Sequence, residues 1–177
     1  DQMDVKTKST RHQGIAARID EYRTYTIEEL IAGVPKGKNG LFVMLDELED
    51  PHNLGAIMRS CDATGVDGII IGKHRSVSLT PTVAKVSIVA NLAQTLQHLK
   101  EEGYWVVGAD MEDAKDYREA SYDMPLVLVI GSEGFGLRPL VKKQCDFNVS
   151  LPMVGTVNSL NASVACAILL YKIYEQR

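Results

Sequence analysis

Two late stretches of the chain collect residue types suited to handling a nucleotide. Gly131-Ser132-Glu133-Gly134-Phe135-Gly136 places a carboxylate and a hydroxyl among three glycines. Asn158-Ser159-Leu160-Asn161 places two amides and a hydroxyl within four positions. Glycines let backbone N–H and C=O groups approach a ligand with no Cβ in the way. A carboxylate amid glycines has few structural jobs, and the polar residues after Asn158 exceed what one helix cap needs. Together the loops read as the holder of one nucleotide-like cofactor. Earlier in the chain, Asn53 suits a helix N-cap, and Arg59 follows six residues later. That spacing sets the two about 240° apart around a helix, so Asn53 sits at the mouth while Arg59 points elsewhere, to a neighbouring loop or a surface salt bridge.

The glycine loop runs G-x-x-G-x-G, the reverse of the dinucleotide-binding order. It lies late in the chain and has no acidic residue about 20 positions on, so a nicotinamide dinucleotide is excluded. Lys73-His74-Arg75 follows a strand and suits either phosphate contact or solvent. His12, His52 and His98 have no partners at metal spacing, and the acidic loop over 46–50 lacks the alternation of a calcium loop. No metal is expected.

These side chains need elements to hold them. Thr26 caps a short helix over 27–31, with Glu28 and Glu29 favouring its dipole. Glycines and a proline over 33–40 then mark a domain boundary, with residues 1–36 as an extension and 37–177 as the main domain. Strands are predicted over 41–45, 68–72, 104–108, 126–130 and 147–151. Helices are predicted over 54–63, 91–102, 139–143 and 159–174, with a short one from Thr80-Pro81 and a helical turn over 116–122. Trp105 reads as core. Short apolar strands alternating with helices predict an α/β fold, a mostly parallel sheet with helices on both faces. Ile88-Val89 passes at once into the helix at Asn91, which predicts either a very short strand or residues absent there.

The chain has 177 residues, enough for one domain and an extension. Hydrophobic residues make up 45% and charged residues 24%, as in ordinary globular proteins. No run approaches the roughly 20 apolar residues of a membrane span, and the polar start is no signal peptide. Cys61, Cys145 and Cys166 show no metal or disulfide spacing and read as reduced thiols in a cytoplasmic protein. A net charge of −4 argues against a chain that wraps nucleic acid unaided.

Three segments in order resemble one family. Asp50-Pro51-His52-Asn53-Leu54-Gly55-Ala56-Ile57-Met58-Arg59-Ser60, Ile130-Gly131-Ser132-Glu133-Gly134-Phe135-Gly136-Leu137, and Leu151-Pro152-Met153 with 158–165 are similar to the three motifs of the SpoU (TrmH-like) branch of the SPOUT RNA 2′-O-ribose methyltransferases. Within it, the chain most resembles the bacterial 23S rRNA guanosine-2′-O-methyltransferases. His12-Gln13-Gly14 resembles the segment that follows their L30e-like RNA-binding domain, and the family usually runs longer after residues 85–87. The resemblance implies a C-terminal trefoil knot (SPOUT fold), S-adenosyl-L-methionine as cofactor, RNA as partner and a homodimer with the site near its interface. It implies catalytic roles for Arg59, Asn53, Glu133, Ser159 and Asn161. It implies cofactor contacts from Gly131, Ser132, Glu133, Gly134, Leu151, Met153, Leu160 and Asn161. A tRNA ribose methyltransferase of the same family and a non-catalytic RNA-binding module are the alternatives.

Overall fold

The computed structural model describes residues 22–48, 50–73, 85–132 and 134–177. Its centre is a seven-stranded sheet in the order β3-β2-β1-β6-β4-β7-β5, with every neighbouring pair parallel. The strands are β1 Leu41–Leu45, β2 Gly68–Gly72, β3 Val86–Val89, β4 Trp105–Ala109, β5 Ala114–Asp116, β6 Leu126–Ile130 and β7 Phe147–Ser150. β1 and β6 are buried at every position. That explains their unbroken apolar sequences, since a central parallel strand is covered on both faces. β6 is inserted between β1 and β4, which both precede it in the chain. It pairs from Leu41↔Leu126 to Leu45↔Ile130 on one side and from Trp105↔Leu126 to Ala109↔Ile130 on the other.

Alternate strand residues feed two cores. One holds Val43, Ile69, Val107 and Leu128 beneath helices α2 (Pro51–Ala63) and α5 (Ala162–Gln176). The other holds Phe42, Ile70, Val106 and Val127 beneath α1 (Ile27–Ala32), α3 (Leu92–Glu101) and α4 (Pro139–Lys142). Fully burying one such side chain stabilises the fold by about 1.5–3 kcal/mol.

The N-terminal part that is described is fastened to this body. Thr26 and Glu29 form a reciprocal capping box on α1. Leu30 is buried against Gly68, where a Cβ would lie 2.9 Å from the leucine methyls. Tyr25 N–H donates to the Val86 carbonyl at 2.9 Å. At the other end, Arg177 reaches the carbonyls of Tyr122, Gly40 and Met124, and Gln176 bonds the Ala120 carbonyl at 3.0 Å.

Several expectations are corrected. α2 begins at Pro51, with Asp50 as the cap, because the Asp50 carboxylate accepts from His52 N–H at 2.9 Å and proline fits the first turn. Asn53 therefore lies inside the helix. Residues 114–116 form the edge strand β5, followed by a turn that makes no α-helix. α5 starts at Ala162, three residues after the predicted start. Trp105 is 48% exposed, since β4 enters the sheet with its first side chain at the rim. The strand before α3 forms with four residues, so its shortness is real and an edge position tolerates it. His12, Glu133, His74, Arg75 and the predicted helix at Thr80-Pro81 lie outside the described residues.

Candidate active site

β6 delivers the glycine loop at the carboxyl edge of the sheet. Ser132 and Gly136 exchange both backbone hydrogen bonds, at 3.2 and 3.1 Å, so the loop closes on itself. That closure needs glycine at two kinds of position. Gly134 and Gly136 have φ of +88° and +66°, the left-handed region. At Gly131, whose φ is ordinary, a Cβ would overlap the Gly136 carbonyl and stand 2.8 Å from the Leu137 nitrogen. The glycine there serves the loop's own fold, not only a ligand's approach.

A buried carboxylate anchors the far end of the loop. Asp46, wholly inaccessible at the end of β1, accepts from Arg138 N–H at 2.8 Å and from Arg138 Nε at 2.6 Å. Its own N–H donates to the Ile130 carbonyl at 2.8 Å. Sequence reasoning passed over this residue because it sat in a run of acids. The signal was its position, one residue past a buried strand.

The second loop leads into α5 through Asn161. Its side-chain oxygen accepts from Ser163 N–H at 2.9 Å and Ser163 Oγ at 2.6 Å, capping the helix. Its Nδ2 donates to Asn53 Oδ1 at 2.9 Å, across 108 positions of sequence. One amide thus sets the start of α5 and ties it to α2, and Asn53 is buried for this purpose. Replacing Asn161 by alanine should cost about 2 kcal/mol, about half from the lost cap and the rest from the lost bond to Asn53. Urea unfolding of the single and double variants with Asn53→Ala checks this, with an expected coupling above about 0.5 kcal/mol.

Between the loops lies a cavity of about 610 Å³, inside the usual range for a bound small molecule. Gly131, Ser132, Gly134, Leu151, Met153, Ser159 and Leu160 all line it, as do Asn158, Ala165 and Leu169. Its walls are mostly apolar, with loop backbone on one side, which fits the flat faces and polar edges of adenine. Asn161, Asn53 and Arg59 do not line it. Asn161 and Asn53 act on its frame. Arg59 is exposed on α2, on a face with Gly55 and Ala56, and makes no ion pair among the described residues.

Several wall residues were missed, among them Asp110, Glu112 and Lys142. Asp110, past the end of β4, faces Gly136, whose Cβ would lie 3.5 Å from Asp110 Oδ2. The other oxygen accepts from Glu112 N–H at 2.9 Å and Lys142 Nζ at 3.2 Å. Contacts to Glu112 and Asp110 raise the Lys142 pKa, so it stays charged. A carboxylate there suits a ligand that carries positive charge. No residue of the strand pattern advertised it, because it lies in an ordinary acidic stretch, 110–113.

The thiols take no part. Burial raises the pKa of Cys61, pushes Cys166 up to about 12, and, with Asp110 and Asp146 nearby, pushes Cys145 up to about 12. At pH 8 so little thiolate is present that iodoacetamide should label Cys145 at least about 100-fold more slowly than free cysteine; mass spectrometry of the native chain measures this. Among the described residues no His/Cys/Asp/Glu group is arranged to hold a metal, and no helix is long and apolar enough to cross a membrane.

Residues 40–171 match the SpoU rRNA Methylase family. A protein of Staphylococcus haemolyticus assigned to the TrmH family of tRNA/rRNA methyltransferases is 53% identical over 94% of this chain and 71% of its own length. YacO of Bacillus subtilis, assigned likewise, is 49% identical over 94% and 72%. Among solved structures, the SpoU methyltransferase AviRb of Streptomyces viridochromogenes, in complex with AdoMet, superposes with a TM-score of 0.73 at 27% identity. That match covers 82% of this chain and 61% of AviRb. The A. aeolicus TrmH/SpoU tRNA modifying enzyme superposes with the same score at 30% identity, over 85% and 81%.

Proposed function

Because the chain belongs to the SpoU rRNA Methylase family, we propose that it is an S-adenosylmethionine-dependent RNA methyltransferase acting on a ribose 2′-hydroxyl. The observation that carries this reading is the cavity shared by the two motif loops, at the carboxyl ends of β6 and β7, where open α/β sheets bind ligands. Residues 37–177 carry the reaction.

The residues fit the cofactor. Apolar side chains from Leu151, Leu160 and Ala165 take the adenine faces, and the backbones of Gly131, Leu151, Met153 and Leu160 meet its edges. Asp110 offers its negative charge to the cationic part. Bound there, S-adenosylmethionine supplies a methyl group already activated on a sulfonium. The protein's work is to orient two reactants and ease loss of a proton. Ser159 fixes its loop, and Asn161 holds α5 to α2 through Asn53.

A guanidinium is a poor general base, and Arg59 is not assigned that part. Its role is to grip phosphate and stabilise the oxygen that attacks. It does not line the cavity of its own chain, so we place it at the cavity of a second copy. The apolar surface supports a homodimer. Val164, Tyr171 and Tyr174 of α5 are 47%, 56% and 60% exposed, and Val157 and the cavity-lining Phe135 are exposed as well. Exposed apolar surface grouped along one helix is the kind that protein interfaces use.

The favoured target is a guanosine ribose of large-subunit rRNA, in the cytoplasm. The likeness to the A. aeolicus tRNA modifying enzyme supports tRNA as the second reading. Methyl transfer from labelled cofactor to rRNA and tRNA transcripts, with mapping of the modified nucleotide, decides between them. No incorporation into either, with cofactor bound, would leave only an RNA-binding module.

A further inference from the structure

A second cavity, of about 420 Å³, opens at the carboxyl ends of β1, β2 and β3. It is separated from the first by α4, and Pro139 lines both. Its floor is Leu45, Leu48, Leu54 and Leu92, all under 8% exposed. Its rim carries two cations, Lys73 and Arg138, and one carboxylate, Glu47. Nothing in the methyl-donor site uses it.

We infer that this slot takes a guanine base of the RNA, beside the methyl-donor cavity and separate from it; the inference rests on the RNA methyltransferase reading above. An apolar slot suits the faces of a nucleobase, and its volume is within the range for a nucleotide-sized ligand. The rim explains the choice of base. A carboxylate accepts up to about four hydrogen bonds, and the guanine edge presents two adjacent donors, N1–H and N2–H. Adenine, cytosine and uracil present no such pair. Glu47 lines the slot 3.5 Å from Arg138 Nη1, and Arg138 is itself held by Asp46, so the carboxylate is fixed at the rim beside the guanidinium. Glu47 has φ of +60°, a conformation that costs a non-glycine residue about 1 kcal/mol or more. Lys73, exposed at the end of β2, takes the phosphate of the same nucleotide as a point charge.

Two measurements test this. Ala90 lines the slot and is exposed, so Ala90→Phe fills it without touching the core. The variant should raise KM for RNA at least about tenfold, the loss of one well-stacked base. kcat and calorimetric affinity for S-adenosylmethionine should stay within about twofold. With the cofactor at saturation, guanosine monophosphate should shift the methyl signals of Leu48, Leu92 and Leu140 in carbon–proton spectra, and adenosine monophosphate should not. An unchanged KM in Ala90→Phe, or equal shifts from both nucleotides, would overturn the proposal. Loss of cofactor affinity in the unaltered chain would instead overturn the methyltransferase reading, so the two failures are distinct.

Discussion

Replacing Arg59 by alanine should reduce methyl transfer by at least about 100-fold, the scale seen when a charge-stabilising donor is removed, while S-adenosylmethionine binds with unchanged affinity. The separation follows from geometry. Arg59 lies exposed on α2, outside the wall of the cofactor cavity, and makes no ion pair among the described residues. Its loss opens no hole, since α2 packs through Ile57, Met58 and Cys61. Stability should therefore change by less than about 0.5 kcal/mol, as for other surface substitutions. Lysine at this position keeps a charge but loses the planar fork, so Arg59→Lys should recover only a small part of the rate. Mixing protomers extends the test. A dimer of one Arg59→Ala chain and one chain with a disabled cofactor loop keeps one complete site if the arginine acts across the interface. Single-turnover rates and calorimetry on the same preparations read both effects; cofactor affinity falling together with rate would contradict the assignment.

Gly131→Ala should act in the opposite way and remove cofactor binding. The added Cβ meets backbone, the Gly136 carbonyl and the Leu137 nitrogen, which no rotamer change relieves. The loop must open, breaking the paired bonds between Ser132 and Gly136. Overpacking of this kind costs about 1–3 kcal/mol of stability, and the displaced loop no longer presents its backbone to the cavity. We expect the dissociation constant for S-adenosylmethionine to rise at least about 100-fold, or about 2.7 kcal/mol. Gly134→Ala is the control. There a Cβ meets nothing within 4 Å, and only the positive φ of +88° resists it. That strain costs about 1–2 kcal/mol without closing the cavity, so binding should fall far less. Equal losses in the two variants would mean that backbone strain, and not loop closure, governs the site.

The alternation of short apolar runs with helices was enough to read the sheet, because burial on both faces leaves a plain signature in β1 and β6. Thr26 was legible as a cap, and its side chain accepts from the Glu29 N–H three residues on; Asn91 was read as the first residue of its helix and is instead the cap of α3, accepting from the Gln94 N–H. Strand order was not legible. Nothing in Leu126–Ile130 states that it lies between β1 and β4, which is a property of the whole sheet. The start of α2 was misjudged because both Asp50 and Asn53 are good caps, and the proline at 51 decided between them. Trp105 was read as core because it lies in a strand, yet its place at the first position of β4 leaves it at the rim. In the site, the loop residues were singled out because glycine, serine and asparagine cluster there, and most of them line one cavity. Asp46 and Asp110 were missed because an acid in an acidic stretch looks like a solvated one until the fold buries it. The bond between Asn53 and Asn161 spans 108 positions of sequence, and only the fold names the partner.

The most direct test of the central claim is where the methyl donor's adenine rests. Intermolecular nuclear Overhauser effects between the adenine protons of S-adenosylmethionine and the methyl groups of the intact chain would locate it. Contacts to Leu151, Leu160 and Ala165 are the predicted result. Contacts to Leu48 and Leu92, or none to any methyl of the cavity between the two loops, would contradict the account.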